Sequence, residues 1–375
     1  MSLKIFHTSD LHIGMKFMHY PDDLRDSLIE ARFKCLETMV KQANDHGCQL
    51  FVVAGDLFEK QNISKRDIIR VKSILTGFAG GTVCLLPGNH DYINDSTDLW
   101  HTFEQDLPDN ILILKEEKPY YLREKDHDIT LYPAPCHAKH SVDNNLAWMS
   151  DITTSPDNGY RIGIAHGALE GISPDLSGQY YSMSLNELNF LPIHLWLLGH
   201  THLPYPADEQ TTATKCFNAG TPEPDGMDCR HRGTAWLIKV SDEQVIEARQ
   251  LNTGIYRFID NAETLTDEAS LQRVSEKYLT QEAGSVLLRL TLDGYVSDEI
   301  FESRHNVYRH MEEKLAYLKV LDQSLRVKFS TERIRSQFTE GSLPAVLLQE
   351  LVASHGEDTA HLAYELIREV KTDAD

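Results

Sequence analysis

The sequence predicts an α/β fold for this chain of 375 residues. Two observations support that class: strand and helix patterns alternate in the first part of the chain, and polar motifs directly follow apolar strands. Such alternation implies parallel strands with helices packed on their faces. The apolar content of 41% is enough for a full-sized core, which argues against a disordered chain.

The first elements follow the order strand, helix, strand, helix, strand. Short buried strands are predicted from Leu3 to His7 and from Gln49 to Ala54. Between them, apolar residues recur at spacings of three and four, which indicates a helix with one apolar face. These residues are Leu24, Leu28, Ala31, Cys35 and Met39.

The second helix is predicted from the residues at its ends. Ser64 is an N-cap for a helix that extends to about Phe78, and Gly80-Gly81 ends it before the strand Val83 to Leu86. Three more strands are predicted further along the chain: Arg161 to Ala165, Leu195 to Leu198, and Thr234 to Val240. The carboxyl ends of such strands are where ligands bind in α/β proteins.

The pattern changes after about Asn252. An alternating strand, a helical stripe, a second alternating strand and two short amphipathic helices follow. Their residues are Val286, Leu288, Leu290 and Leu292; Ile300, Arg304, Val307, Met311, Leu315 and Leu318; Leu325, Val327 and Phe329; and the ranges Leu343 to Ser354 and Thr359 to Val370. We therefore expect a main domain over 1–252, a small α/β domain over 253–340 and C-terminal helices over 341–375.

Charge and cysteine content limit the function classes. The chain has 36 Lys and Arg residues against 57 Asp and Glu, a net charge of −21, which argues against binding nucleic acid by general electrostatics. Six cysteines without metal-binding spacing, and an N-terminus without a signal-peptide pattern, favour a reduced, cytoplasmic protein. No segment approaches the roughly 20 apolar residues of a membrane span, so we expect no membrane association.

Five short polar segments stand at the ends of the predicted strands. They are Ser9-Asp10-Leu11-His12, Gly55-Asp56, Gly88-Asn89-His90-Asp91, His166 and Gly199-His200-Thr201-His202. Each alone is typical of a turn or a cap. Together they bring the carboxylates of Asp10 and Asp56, one amide and several imidazoles towards one edge, in an order that suits two adjacent divalent metal ions.

The motifs DLH, GDLF, GNHD, HG and GHTH resemble the five signature motifs of the calcineurin-like metallophosphoesterase superfamily. Their spacing is similar to the DNA-repair exonuclease branch, with its SbcD and YhaO-type nuclease subunits. The resemblance covers roughly residues 1 to 240. It implies a four-layer α+β core, a β-sandwich flanked by helices, with a small C-terminal α/β cap domain that helps to position DNA.

The same resemblance implies a ligand set for two metal ions. The first ion would be bound by Asp10, His12, Asp56 and His202, and the second by Asp56, Asn89, His166 and His200. Imidazole, carboxylate and amide ligands without thiolate favour Mn²⁺, with iron, Mg²⁺ or Zn²⁺ as alternatives. Two carboxylates against two dications leave about +2 at the site, which can attract a phosphodiester to an acidic protein.

The predicted chemistry is attack by a hydroxide that the two ions share and activate. His90 directly follows Asn89 and is expected to protonate the leaving alkoxide, with Asp91 orienting its ring. Glu59 departs from the family pattern, because some relatives carry a histidine there that contacts the substrate. Arg232, in a local basic cluster, and Arg326 and Lys328, on a cap strand, are candidate substrate contacts.

Three function classes follow. The leading one is a DNA exonuclease or endonuclease in DNA repair, which acts alone or with an SMC-like ATPase subunit docked on the C-terminal helices. The second is a phosphodiesterase for a cyclic nucleotide or another small molecule, which an acidic surface suits. The third is a non-catalytic scaffold with this fold. A homodimer is a further alternative for the assembly.

Overall fold

The computed structural model describes residues 2–96, 98–152, 159–174, 178–212, 214–241, 243, 245–328, 334–335 and 337–372. It divides into two compact units, Met1–Phe258 and Ile259–Asp375. The sequence pattern predicts this boundary after about residue 252. Among the described residues, no helix combines the length and the apolar character that crossing a bilayer requires.

The first unit contains twelve strands and four α-helices in its described residues. The strands are β1 (Ser2–Thr8), β2 (Leu50–Ala54), β3 (Thr82–Leu86), β4 (Ile111–Ile113), β5 (Tyr120–Glu124), β6 (His127–Ala134), β7 (Tyr160–His166), β8 (Leu195–Gly199), β9 (Gln210–Thr211), β10 (Cys216–Asn218), β11 (Thr234–Ser241) and β12 (Ile246–Asn252). The helices are α1 (Asp22–Asp45), α2 (Lys65–Thr76), α3 (Leu99–Glu104) and α4 (Leu185–Phe190), with a short 3-10 helix at Ala147–Asp151.

The strands form two sheets, in the orders β4-β3-β2-β1-β11-β12-β9 and β10-β8-β7-β6-β5. Strands β1 to β4 are parallel, and β11 pairs antiparallel with β1. In the second sheet β6, β7, β8 and β10 are parallel to one another, and β5 pairs antiparallel with β6. The predicted α/β class is confirmed. The first sheet is mixed, because β11 pairs antiparallel with β1 and β12 pairs antiparallel with β11.

An apolar layer joins the two sheets. Leu50 and Val52 of the first sheet and Ile162 and Leu197 of the second belong to one buried cluster. The other face of the first sheet is covered by helical residues such as Met39. Strand β2 is buried at every position, because both faces of this parallel strand are covered.

The second unit has its own sheet, in the order β13-β14-β15. Its elements are β13 (Arg257–Leu265), α5 (Glu268–Tyr278), β14 (Val286–Val296), α6 (Asp298–Glu312), β15 (Tyr317–Val327), α7 (Leu343–His355) and α8 (Glu357–Thr372), with a 3-10 helix at Ala283–Ser285. Strands β14 and β15 are parallel, as a crossover through α6 requires. Leu288, Leu290 and Met311 lie in its core, and α7 and α8 share a separate cluster.

One element of this unit differs from its prediction. The helical stripe was expected to reach Leu318, whereas α6 ends at Glu312 and Leu318 belongs to β15. Leu315 is buried in the turn between them and, like Leu318, packs against the same core as α6, so the apolar spacing continues beyond the helix. Phe329, assigned to the last strand, lies outside the described residues.

Candidate metal centre

Five strand ends position the polar motifs. Asp10 follows β1, Asp56 follows β2 and Asn89 follows β3, while His166 is the last residue of β7 and His200 directly follows β8. The carboxyl ends of these parallel strands bring the side chains to one place, although β7 and β8 belong to the other sheet. The structure therefore assembles the site from both layers of the sandwich.

Unusual backbone conformations aim several of these side chains. φ is 53° at Asp10, 48° at His12, 52° at Asp56 and 90° at His200, in the region that favours glycine. Each such residue costs on the order of 1–3 kcal/mol and persists only where the surroundings determine it. Here the Asp10 amide donates to the Gly55 carbonyl at 3.1 Å, and the His12 amide to the Asp56 carbonyl at 3.0 Å.

The first ligand cluster consists of Asp10, His12 and His202, whose ligand atoms lie within 4.8 Å of one another. The Nε2 atoms of His12 and His202 are 3.1 Å apart, and His202 Nε2 is 3.8 Å from Asp10 Oδ1. Asp10 is fully buried, and its carboxylate also accepts the His200 amide at 3.0 Å. Asp56 adjoins this cluster, with Oδ2 3.8 Å from His12 Nε2.

The second cluster consists of Asp56, His166 and His200. His166 Nε2 is 3.2 Å from Asp56 Oδ2, and Asn89 Oδ1 lies 3.0 Å from both His166 Nε2 and His200 Nδ1. Asp56 thus stands between the two clusters. Its own carboxylate oxygen Oδ1 accepts the backbone amide of His90 at 2.8 Å.

The donor set fits divalent metal ions. Carboxylate oxygens, an amide oxygen and imidazole nitrogens converge on two adjacent small volumes, and such ligands suit Mn²⁺, iron and Zn²⁺. A cation between the Nε2 atoms of His12 and His202 would satisfy both nitrogens through their lone pairs. The structure thus brings all seven residues of the predicted ligand set together.

Two further carboxylates contact the ligand histidines. The sequence does not predict either of them as part of the metal site. Glu59 Oε2 is 2.9 Å from His12 Nδ1, and Asp225 Oδ2 is 2.9 Å from His202 Nδ1. Burial opposes the charge on His202, but the carboxylates of Asp225, Asp10 and Asp56 together outweigh it and raise the histidine pKa to about 9. Asp225 lies beyond β10, outside any strand-end motif, so no local sequence signal marks it.

His90 lies at the rim of the site. Its ring meets His12 edge-on with centroids 4.8 Å apart, and its Nδ1 is 3.0 Å from the main-chain oxygen of Glu59. Because a carbonyl oxygen only accepts, Nδ1 carries the hydrogen in this contact. The ring side chain is 28% exposed, so part of it is open to solvent.

The predicted orientation of the His90 ring by Asp91 is wrong. Asp91 is fully buried, and its carboxylate accepts the amides of Phe58 at 3.0 Å and Gly88 at 2.7 Å. Burial, with the nearby charge of Asp56, raises the Asp91 pKa to about 7. Asp91 therefore joins the loop after β2 to the loop after β3, and the Glu59 carbonyl holds the ring of His90.

The three candidate substrate contacts are not members of the ligand clusters. Arg232 is an exposed residue next to His231, whose Nε2 is 2.7 Å from the His202 carbonyl oxygen. Arg326 and Lys328 are exposed and belong to the second unit, on β15 and directly after it. The Lys328 amide donates to the Val296 carbonyl at 2.6 Å, which continues the β14 and β15 pairing.

A sandwich of two sheets with adjacent carboxylate and imidazole clusters at its strand ends defines a metallophosphoesterase domain. The family model for calcineurin-like phosphoesterases matches residues 3–204, more than half of the chain. The chain therefore belongs to the calcineurin-like phosphoesterase family, whose members use divalent metals.

Curated relatives include two kinds of protein. The uncharacterized metallophosphoesterase YhaO of Bacillus subtilis is 26% identical over 209 residues, which are 53% of this chain and 48% of that protein. The DNA double-strand break repair protein Mre11 of Halobacterium salinarum is 24% identical over 307 residues, 78% of this chain and 71% of that one. Mre11 of Methanosarcina mazei is 30% identical over 105 residues, 28% of this chain and 16% of the relative. The match to YhaO thus spans about half of that protein's length.

Proposed function

We propose that this protein is a phosphodiesterase with two divalent metal ions and that its substrate is DNA. The observation that carries the proposal is the position of Asp56. Its Oδ2 lies 3.2 Å from His166 Nε2 in one cluster and 3.8 Å from His12 Nε2 in the other. A carboxylate between two ligand clusters is suited to bridge two ions.

The proposed ligand set has two parts that share Asp56. One ion is assigned to Asp10, His12, Asp56 and His202, and the other to Asp56, Asn89, His166 and His200. Manganese is the proposed metal, because oxygen and imidazole ligands without thiolate suit it. In such sites the pair of ions supplies an activated hydroxide and stabilises the charge on the attacking and leaving oxygens.

His90 is the proposed general acid. The Glu59 carbonyl accepts a hydrogen bond from Nδ1, which leaves Nε2 of the protonated ring to donate to a leaving group. Asp56 Oδ1 accepts the His90 amide, so the residue that bridges the clusters also fixes the backbone of the acid. A sugar alkoxide is a poor leaving group and needs this proton.

DNA is the proposed substrate, and DNA repair the proposed setting. The named activity of the Mre11 relatives supports it, as does the second unit, in which Arg326 and Lys328 are exposed beside one another at the end of β15. We assign phosphate contacts to these residues and to Arg232. The second unit is proposed as a cap that orients the DNA.

An SMC-like ATPase subunit is the proposed partner of helices α7 and α8. Large apolar side chains are exposed on both helices: Leu343 is 80% exposed, Leu362 65% and Leu366 57%. Large exposed apolar patches mark protein interfaces. A second copy of the chain is the alternative occupant.

A phosphodiesterase for cyclic nucleotides or other small diesters is the second candidate function. The Glu59 carboxylate beside His12 and the net charge of −21 both favour it, because they repel a long polyanion. A small diester carries one negative charge, which the two ions offset. DNA remains the better supported substrate because the chain has a second unit and Mre11 relatives.

Cleavage assays with Mn²⁺ separate these functions. End-labelled double- and single-stranded DNA is compared with bis(p-nitrophenyl) phosphate and cyclic nucleotides. Asp56→Asn removes the proposed bridging ligand, and His90→Ala removes the proposed general acid. DNA cleavage that both substitutions abolish supports the nuclease. Hydrolysis of the small diesters alone, with and without a purified ATPase partner, would favour the second function.

A further inference from the structure

Two carboxylates contact the Nδ1 atoms of the two histidines in one ligand cluster, on the side of each ring that faces away from the cluster. Glu59 Oε2 lies 2.9 Å from His12 Nδ1, and Asp225 Oδ2 lies 2.9 Å from His202 Nδ1. The opposite ring nitrogens face the cluster, since the two Nε2 atoms are 3.1 Å apart. Each ring therefore has a carboxylate on one side and the ligand cluster on the other. The Glu59 contact with His12 is an ion-pair distance without the alignment of a hydrogen bond, so Glu59 acts there through its charge.

The second cluster is supported by neutral groups. His166 Nδ1 is 2.8 Å from the main-chain oxygen of Ala54. His200 Nδ1 and the Asn89 amide oxygen are two ligand atoms of this cluster 3.0 Å apart, and the His200 ring stacks on the Tyr180 ring with centroids 5.1 Å apart. These partners orient the rings without adding a net charge. The two clusters therefore differ in the charge around their histidines, although each has two imidazoles.

This difference has a known physical consequence for metal ligands. An imidazole that binds a metal through Nε2 carries its hydrogen on Nδ1, and a carboxylate acceptor there fixes the tautomer, holds the ring and strengthens the donor nitrogen. Loss of such an outer partner typically lowers metal affinity by about 10- to 100-fold. The carboxylate charge also attracts a nearby dication.

We propose that Glu59 and Asp225 are positioning residues that make the cluster of Asp10, His12 and His202 the tighter of two metal subsites. The inference rests on the two-metal function proposed above. The subsite of Asn89, His166 and His200 fills second and loses its ion first on dilution. Ion occupancy at this second subsite then limits activity at low metal concentration.

The two carboxylates contribute unequally. The Asp225 side chain is 13% exposed and the Glu59 side chain 28% exposed, so solvent screens Glu59 more strongly. They lie in different loops, after β10 and after β2, so each can be changed without the other. Asp225→Asn is therefore expected to weaken metal binding more than Glu59→Gln.

Isothermal titration of the metal-free full chain with Mn²⁺ tests the proposal. The wild type is expected to bind in two steps, which His202→Ala and His200→Ala assign to the two subsites. Asp225→Asn weakens the tighter step by about 10- to 100-fold, and Glu59→Gln by the lower part of that range. Asp228→Asn, the same change at an exposed residue nearby, leaves both steps unchanged.

A second readout separates positioning from general destabilisation. With one equivalent of Co²⁺ bound, the visible absorption of the ion is expected to shift in Asp225→Asn and Glu59→Gln and not in Asp228→Asn. Circular dichroism of the metal-free variants shows whether they fold, and if one does not, the other still tests the proposal.

The outcomes are distinct. A tighter step that stays unchanged in both variants overturns the inference, as does a loss confined to the weaker step. A wild type that binds no Mn²⁺ contradicts the proposed function together with the inference. Two normal steps in the wild type that are insensitive to both substitutions contradict the inference alone.

Discussion

At the residue scale, the His90 ring is held through one of its nitrogens, Nδ1. Nδ1 contacts the Glu59 carbonyl oxygen at 3.0 Å, and the partly exposed ring adjoins the ligand His12. The Glu59 carbonyl thus holds the ring through Nδ1, and a ring nitrogen of His90 also lies within 4.8 Å of ligand atoms of His12 and Asp56. This arrangement suits a group that delivers a proton, since the orientation of the ring does not depend on the substrate.

His90→Ala is expected to slow DNA cleavage by about 10²- to 10⁴-fold, the usual contribution of general acid catalysis. Hydrolysis of bis(p-nitrophenyl) phosphate should slow far less, because p-nitrophenolate leaves without a proton. Steady-state rates on both substrates check this, with Mn²⁺ content measured in parallel. His101→Ala, at an exposed histidine of α3, is the control. Equal losses on both substrates would show that His90 does not act as the acid.

Glu223 is a buried carboxyl that the proposed mechanism does not use. It is 2% exposed and accepts the amides of Ile255 at 2.7 Å and Tyr256 at 2.8 Å. Burial raises its pKa from 4.5 to about 7, against the opposing effect of these two hydrogen bonds. The folded state therefore favours the protonated form of this carboxyl.

This pKa shift predicts a pH-dependent effect of Glu223→Gln on stability. Because the folded-state pKa is raised, the protonated Glu223 carboxyl makes its full contribution to folding stability below pH 4.5. That contribution is lost as the pH rises through about 7. The glutamine amide does not titrate. The free energy of unfolding of the variant should therefore rise relative to that of the wild type, by on the order of 3 kcal/mol, as the pH rises from about 4.5 to about 8. Chemical unfolding of both proteins across this range measures the difference, and a difference independent of pH would contradict the assignment.

Several residue roles could be predicted from the sequence and others could not. The convergence of the five polar segments could be predicted from their position at strand ends, because parallel strands deliver such residues to one place, whereas the ligand assignment came from the family resemblance. The error at Asp91 arose because adjacency to His90 in sequence did not bring its side chain to the ring; the carboxylate turns inward to two amides. Asp225 meets His202 only through the fold, so sequence proximity gives no signal.

At the element scale, the loops after β2 and β3 depend on close backbone approach. A Cβ atom on Gly88 would lie 2.2 Å from Asp56 Oδ1 and 2.3 Å from the Asp56 amide nitrogen. No side chain fits there without displacing the proposed bridging carboxylate. The glycine of this motif is thus required by the packing of one loop on the other.

Gly88→Ala is expected to displace Asp56 and weaken Mn²⁺ binding by at least about 10-fold, comparable to the loss of an outer partner. Metal titration and DNA cleavage measure the effect. Gly284→Ala is the matched control, because a Cβ there meets no atom within 4 Å. Wild-type metal binding by the Gly88→Ala variant would mean that the loop can move apart without loss of the site.

Local patterns predicted the elements around the site well. Ser64 caps α2 as predicted, with its side chain accepting the Asp67 amide, and the predicted strands from Leu3 to His7 and from Gln49 to Ala54 match β1 and β2 within a residue or two. Edge strands such as β5, with mixed burial, carry no continuous apolar run and were not predicted. Periodicity detects elements that are buried on a regular face and misses the others.

At the scale of the whole molecule, the chain consists of two units with separate cores. Leu50 and Ile162 lie in a cluster within the first unit, while Leu288 and Leu290 lie in a cluster within the second. The ligand clusters belong to residues of the first unit alone. The antiparallel return of β11 beside β1 was not predictable, because strand partners far apart in sequence leave no local pattern.

A chain of residues 1–258 is expected to fold, bind two Mn²⁺ ions and hydrolyse bis(p-nitrophenyl) phosphate, because it retains its cores and every proposed ligand. It should lose DNA cleavage if the second unit positions the DNA. Circular dichroism, metal titration and both cleavage assays check this against the full chain. DNA cleavage at the full rate by 1–258 would show that the second unit has another role.

The most direct test of the central claim is anomalous X-ray scattering from crystals soaked in Mn²⁺, recorded above and below the manganese edge. Two anomalous peaks are expected, one on either side of the Asp56 carboxylate and about 3.5–4 Å apart. One peak should adjoin His12 and His202, and the other Asn89, His166 and His200. A single peak, or peaks only at other sites in well-ordered crystals, would contradict a two-metal centre.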